Sequence, residues 1–326
     1  MEGWFQSVKE KASRQKATIV FPEAQDERIL QAVSQLQKEG VVSPLLIGNE
    51  ASVQAAAEKS GIDLGGIQVY DPATYDDMDR LVEAFVERRK GKATEAQARD
   101  ILTNVNYFGT MLVHLGIADG LVSGATHSTA DTVRPALQII KTKPGVKKTS
   151  GVFFMGKGTN TYVFADCAIN IAPDAADLAE IARESAQTAE LFGVDPRVAM
   201  LSFSTKGSAS SEETERVAEA VRIVHEQAPE LVVDGEFQFD AAVVPAVAQK
   251  KAPDSPIQGN ATVFVFPSLE AGNIGYKIAQ RFGEYSAVGP ILQGLAKPVN
   301  DLSRGCSAED VYRLALLTAV QSSQND

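Results

Sequence analysis

The run Pro298-Val299-Asn300-Asp301-Leu302-Ser303-Arg304-Gly305-Cys306-Ser307-Ala308-Glu309-Asp310 packs a hydroxyl, a guanidinium, a thiol and carboxylates into one turn before a helix. Residues Val311 to Val320 read as that helix, with Leu314, Leu316, Leu317 and Val320 as apolar positions. A helix start presents unpaired backbone N–H groups and partial positive charge, so it suits an anion. Arg304 adds a planar fork that matches phosphate or carboxylate. The pattern points to a phosphate-bearing ligand. Cys306 could act as a nucleophile there, but no histidine stands near it in sequence to activate it, and a small half-buried side chain is the better reading. Asp310 follows Ser307 at capping-box spacing, a role that favours a charged carboxylate and opposes service as a strong base.

Other segments offer related chemistry. Ser123-Gly124-Ala125-Thr126-His127-Ser128, Ser202 to Ala209 and Pro267 to Gly275 are small, polar turns where strands give way to helices, the position at which open α/β sheets bind ligands. Ser204, Thr205, Lys206 and Gly207 could cradle a phosphate, although an ordinary Gly/Ser turn with a solvated lysine reads the same way. Arg134 lies near a helix start, where a cation is unfavourable without an anion beside it. Arg88-Arg89-Lys90 reads as a site or as a solvated helix face. His127 reads as a polar loop residue and Cys167 as a structural thiol within a strand. None of these turns has the G-x-x-x-x-G-K-[ST] or G-x-G-x-x-G pattern, and His114, His127 and His225 show no metal-ligand spacing.

The elements that must position these groups alternate between strand and helix. Ala17-Thr18-Ile19-Val20-Phe21-Pro22, Pro44 to Gly48, Ile67 to Tyr70 and Gly120 to Gly124 read as strands separated by helices, and residues 75–116 read as almost wholly helical. Lys141 to Lys148, with a Pro-Gly turn, is the candidate linker. Beyond it come a hairpin (Gly151 to Met155, Tyr162 to Cys167) and further alternation, with strands at Arg197 to Leu201, Leu231 to Val233, Ala261 to Phe266 and Ala287 to Leu292. The intervening helices are placed at 174–192, 211–227, 240–250 and 271–282. This predicts an α/β fold with mostly parallel sheets, and 326 residues suit two domains.

A net charge of −11 argues against nucleic-acid binding, so an anionic substrate must meet local basic patches. There is no run long and apolar enough for a membrane span, and the N-terminus lacks the features of an export signal. Two distant cysteines suit a reducing, cytoplasmic setting.

The Pro298 to Ser307 run resembles the phosphate acetyltransferase (phosphotransacetylase) family when taken with Ser202-Phe203-Ser204-Thr205-Lys206-Gly207-Ser208-Ala209, Asp234 to Ala242, Ser128-Thr129-Ala130-Asp131-Thr132-Val133-Arg134-Pro135-Ala136 and Gly272-Asn273-Ile274-Gly275-Tyr276-Lys277. The likeness spans essentially the whole chain and fits the short form of the family. It implies two α/β domains with an inter-domain cleft, similar to the isocitrate and isopropylmalate dehydrogenase architecture. The implied boundaries are 1–145 plus 296–326 for a discontinuous first domain and 146–295 for the second.

The resemblance also implies direct, reversible acetyl transfer between acetyl phosphate and coenzyme A, with coenzyme A as co-substrate, no tightly bound cofactor, no metal and a homodimer. Carried over to this chain, Ser303 and Arg304 are the expected catalytic pair and Asp310 the expected base. Arg89, Arg134, Ser128, Thr129, Ser204, Thr205, Lys206, Gly207 and Asn273 are the expected substrate contacts. Phosphate butyryl transfer, a silent acetyl-CoA-binding module and a dehydrogenase are the competing readings. The last would need a nicotinamide site and usually a metal cluster, and neither is identifiable.

Overall fold

The computed structural model describes residues 1–323. Residues 324–326, the end of the expected first domain, lie outside the described residues. The elements run α1 (Glu2–Gln15), β1 (Thr18–Phe21), α2 (Glu27–Glu39), β2 (Ser43–Ile47), α3 (Glu50–Lys59), β3 (Gln68–Tyr70), α4 (Met78–Arg89), α5 (Glu95–Ile101), α6 (Val105–His114), β4 (Gly120–Ser123) and α7 (Thr129–Pro135). They continue with β5 (Ser150–Lys157), β6 (Asn160–Ala165), α8 (Ala175–Leu191), β7 (Val198–Leu201), α9 (Glu212–Gln227), β8 (Val233–Phe237), α10 (Phe239–Val243) and α11 (Pro245–Lys251). The last are β9 (Val263–Val265), α12 (Leu269–Arg281), β10 (Ser286–Gln293), β11 (Val299–Asp301) and α13 (Ala308–Ser322). The chain divides into two compact units, Gln6–Gly145 with Leu295–Asp326, and Met1–Phe5 with Val146–Gly294.

The first unit is built on a five-stranded sheet in the order β11-β4-β1-β2-β3, every pair of which is parallel. Short apolar strands such as Ile19-Val20-Phe21 and Leu45-Leu46-Ile47 are buried, as a sheet covered on both faces requires. Strand order reverses between β1 and β4, so the crevice for a ligand lies beyond their carboxyl ends. β11 is not legible as a strand from its sequence, because Asn300 and Asp301 are polar. It is held by pairing with β4 and by the Asn300 amide, which donates to Thr318 Oγ1 (2.8 Å) and Gln321 Oε1 (2.6 Å) on α13.

The helical stretch expected over 75–116 is three helices. Lys90 turns left-handed (φ 50°) after α4, and Thr94 and Asn104 start α5 and α6 by capping their first turns. The helix expected through Ile140 changes character at Pro135, which has no N–H to donate. It continues as a π turn over Ala136–Ile140, whose last carbonyls accept from Arg88 (Ile139 2.5 Å, Ile140 2.7 Å).

The second unit has a six-stranded sheet, β10-β5-β6-β9-β7-β8, antiparallel from β10 to β6 and parallel beyond. The helix expected over 240–250 is split in two at Val244-Pro245. β8 lies two residues later than expected and takes in the Asp234-Gly235-Glu236 motif. The first five residues, expected with 6–145, belong to this unit instead: Trp4 stacks on Phe154 (ring centroids 4.8 Å) and donates to the Phe192 carbonyl (2.9 Å).

Candidate active site

In the first unit the carboxyl ends of β1, β4 and β11 each release a loop, and Glu23, just past β1, organises the loop after β4. Its Oε2 accepts from Gly124 N (3.0 Å) and Ala125 N (2.7 Å). Its Oε1 accepts from the backbone N of Thr126 (2.7 Å) and His127 (2.8 Å) and from Thr126 Oγ1 (2.8 Å), with His127 Nδ1 at 2.8 Å. Burial alone would push this carboxyl up, but the bonds from Thr126 and His127 prevail and hold it below its ordinary value. Gly124, at φ 116°, passes so close to the turn after β11 that a Cβ there would stand 2.5 Å from Asp301 Oδ1 and 2.6 Å from the Leu302 carbonyl.

Arg28, at the start of α2, ties this loop to the turn after β11. Its Nε and Nη2 grip the two oxygens of Asp26 (2.9 and 2.8 Å). Nη2 also donates to the Ala125 carbonyl (2.8 Å), and Nη1 donates to the carbonyls of Arg304 (2.8 Å) and Cys306 (3.0 Å). The guanidinium therefore fixes the backbone of the turn that carries Ser303 and Arg304. Both side chains are exposed, and Arg304 has no carboxylate partner among the described residues. Ser303 Oγ accepts from Gly305 N (3.3 Å).

Cys306 is buried, and burial pushes its thiol up to about 11. It is a weak nucleophile. Asp310 is the partner in a capping box with Ser307: one carboxylate oxygen accepts from Ser307 N (2.8 Å) and Oγ (2.9 Å). Its side chain is exposed.

Ser128 and Thr129 spend their hydroxyls inside the protein. Ser128 Oγ donates to Asp131 (2.7 Å) and Thr129 Oγ1 to Asp301 Oδ2 (2.7 Å). Asp301 is buried, and burial pushes the carboxyl up to about 6 against the opposing hydrogen bonds of Thr129 and Thr132. Thr129, by contrast, is exposed. Arg134, on α7, and Arg89, in the last turn of α4, both act on the Tyr107 phenol, lowering it where burial raises it. Neither arginine has a carboxylate partner among the described residues.

The remaining expected contacts lie in the second unit and are engaged there. Glu236 Oε1 accepts from Ser204 Oγ (2.9 Å) and Gly207 N (2.7 Å), while Lys206 pairs with Asp234 and donates to the Gly235 carbonyl (3.0 Å). Thr205 Oγ1 accepts from Gln238 N (2.9 Å). An internal carboxylate thus fills the cradle that sequence reading offered to a phosphate. Asn273, on α12, donates to the Cys167 carbonyl (3.1 Å) and accepts from Lys277 (2.8 Å).

Sequence reading passed over Glu23, Arg28 and Asp301. A carboxylate just after the strand at the reversal point was a usable signal for Glu23, and Asp301 stood inside the motif itself. Nothing in the sequence pairs Arg28 with carbonyls 97 and 276 residues away. Among the described residues there is no cluster of side chains that could hold a metal, and no helix is long and apolar enough to cross a membrane.

The family model described as phosphate acetyl/butaryl transferase matches residues 4–319. The chain is 70% identical to the phosphate acetyltransferase of Bacillus subtilis (strain 168) over 322 residues, covering 99% of this chain and 100% of that protein. It superimposes on a phosphotransacetylase from Streptococcus pyogenes with a TM-score of 0.96 at 55% identity, covering 99% of both chains. A structure assigned to 4-hydroxythreonine-4-phosphate dehydrogenase from Salmonella typhimurium shares the fold alone, with a TM-score of 0.57 at 14% identity over 94% of this chain and 99% of that one.

Proposed function

Since the chain belongs to the phosphate acetyl/butaryl transferase family, we propose that it catalyses reversible acetyl transfer between acetyl phosphate and coenzyme A, giving acetyl-CoA and inorganic phosphate. The observation that carries the site assignment is the exposed Arg304 side chain, without a carboxylate partner among the described residues, on a turn whose backbone is fixed by Arg28 at the start of the 15-residue helix α13. Arg304 grips phosphate oxygens, and Ser303, next to it, donates to the charge that develops on the carbonyl oxygen. Arg89 and Arg134 offer two further guanidinium groups, unpaired among the described residues, to the anionic substrates in an acidic protein.

Transfer is direct, because the thiol that stands nearest this turn in sequence is buried and held protonated. Asp310 keeps one oxygen on Ser307 and has the other to orient the incoming thiol. Ser128 and Thr129 stay with the site through their own carboxylate partners. Ser204, Thr205, Lys206, Gly207 and Asn273 are assigned to the architecture of their unit, since their polar groups are already satisfied there.

The reading takes the enzyme as a cytoplasmic homodimer. For the dimer it is supported by the exposed Ile274 and Ile278 of α12, which form a stripe with Phe282 just past its end, with Glu270 in its first turn and Arg281 in its last. Two such helices laid antiparallel match apolar to apolar and acid to base. The test of function is thioester formation from acetyl phosphate and coenzyme A by the purified protein. Arg304→Ala is expected to lower kcat by about 10²–10³-fold. Absence of thioester formation by the wild type refutes the assignment, and a clear preference for butyryl over acetyl phosphate redirects it to the butyryl branch.

A further inference from the structure

Asp310 stands two residues before Tyr312 on α13, so their side chains leave the helix about 200° apart. Asp310 is exposed, whereas Tyr312 is 3% exposed and turns inward. The Tyr312 phenol donates to Glu39 Oε2 (2.5 Å) in the last turn of α2. The same oxygen pairs with Lys9 Nζ of α1 (2.8 Å), and Glu39 Oε1 accepts from Gln35 Nε2 (3.0 Å). A carboxylate at the carboxyl end of a helix meets the partial negative charge there, so α2 by itself would favour a neutral or basic residue at position 39. Glu39 is explained by what it holds.

Most of α13 is held by contacts that select its rotation weakly. Leu314 through Val320 are all buried, and apolar packing of about the right volume resists separation more than it fixes one orientation. Directional bonds set the angle. Near the far end of α13, the Asn300 amide bonds Thr318 and Gln321. Near its start the bond is the one from Tyr312 to Glu39. Arg28, at the other end of α2, holds the Arg304 and Cys306 carbonyls of the turn ahead of α13. Helix α2 therefore grips the turn through Arg28 and the helix behind it through Glu39.

We propose that the Tyr312–Glu39 bond, braced by Lys9, sets the rotation of α13 that presents the Asp310 carboxylate to the thiol of coenzyme A, a role that rests on the acetyl-transfer reading above. Tyr312, Glu39 and Lys9 are positioning residues that act through Asp310. At the about 5–6 Å radius of a helix with its side chains, a rotation of about 10° moves a carboxylate about 1 Å. A displacement of that size costs up to about 10²-fold in rate. Burial, and then the bond to Glu39, pushes the Tyr312 phenol up to about 12, so it remains a donor at neutral pH.

The test is steady-state acetyl-CoA formation, well below each protein's melting temperature, by wild type, Tyr312→Phe, Glu39→Leu, Glu39→Gln, Arg313→Gln, Asp310→Asn and the double variant Asp310→Asn with Tyr312→Phe. Tyr312→Phe and Glu39→Leu should lower kcat about 10-fold or more, with KM for acetyl phosphate changed less than about threefold. Glu39→Gln keeps an acceptor for the phenol and should hold kcat within about threefold of wild type. Arg313→Gln breaks a surface pair with Glu309 within α13 and should leave kcat within about twofold. In the Asp310→Asn background Tyr312→Phe should cost less than about twofold, because the group it positions is gone. Tyr312 and Glu39 variants that melt lower yet turn over at the wild-type rate overturn the positioning role while acetyl transfer stands. So does an equal loss from Tyr312→Phe with and without the Asp310 carboxylate. If Tyr312→Phe does not fold, Glu39→Leu against Glu39→Gln decides by the same criterion. An inactive wild type overturns the activity itself, and the positioning role with it.

Discussion

Replacing Glu23 by Gln tests whether one buried carboxylate builds the loop at the reversal of strand order. Glu23 Oε1 accepts from two backbone N–H groups and the Thr126 hydroxyl and meets His127 Nδ1, and its Oε2 accepts from the N–H groups of Gly124 and Ala125. A glutamine can turn its carbonyl to the Oε1 set, but its amide then faces Gly124 and Ala125 donor to donor. Two buried N–H groups left unpaired cost about 1–3 kcal/mol each, so the expected loss is about 2–6 kcal/mol at pH 7. The folded carboxyl is held below its ordinary value of 4.5, so its contribution is complete above that value and fades as pH falls through the lower folded one. The Glu23→Gln penalty should therefore shrink toward pH 3. Urea unfolding of both proteins from pH 3 to pH 8 measures it. A penalty under about 1 kcal/mol at pH 7, or one that does not shrink with acid, refutes the account.

Cys306→Ala should keep most of the acetyl-transfer activity, within about threefold, because a buried protonated thiol cannot carry the acetyl group; a loss beyond 10²-fold would restore a covalent route. Arg28→Ala removes the donors to the Ala125, Arg304 and Cys306 carbonyls and should lower kcat by about 10–10²-fold through displacement of the Ser303-Arg304 turn. Ile278→Glu buries a charge in the apolar stripe of α12, and sedimentation should show the proposed dimer shifted to monomer.

The alternation of strand and helix, the apolar β1 and β2 and the capping box at Ser307 were legible in the sequence, because each depends on residues a few positions apart. The turn at Ser303-Arg304 ahead of that helix was legible for the same reason, and its service as an anion site belongs to the proposal. Breaks that depend on one backbone angle, at Lys90, or on a π turn after Pro135, were not. The Thr205-Lys206-Gly207 loop looked like an open cradle, because the sequence shows donors but not the Glu236 carboxylate, 29 residues from Gly207, that occupies them. Asp301 was visible as part of a motif, yet its burial and its bond to Thr129 arise only when β11 lies beside β4. Local chemistry follows from which residues are neighbours in the chain. Which carboxylates are buried, and which donors they consume, is decided by contacts between distant strands, where removal from water sets the charge each group can bear.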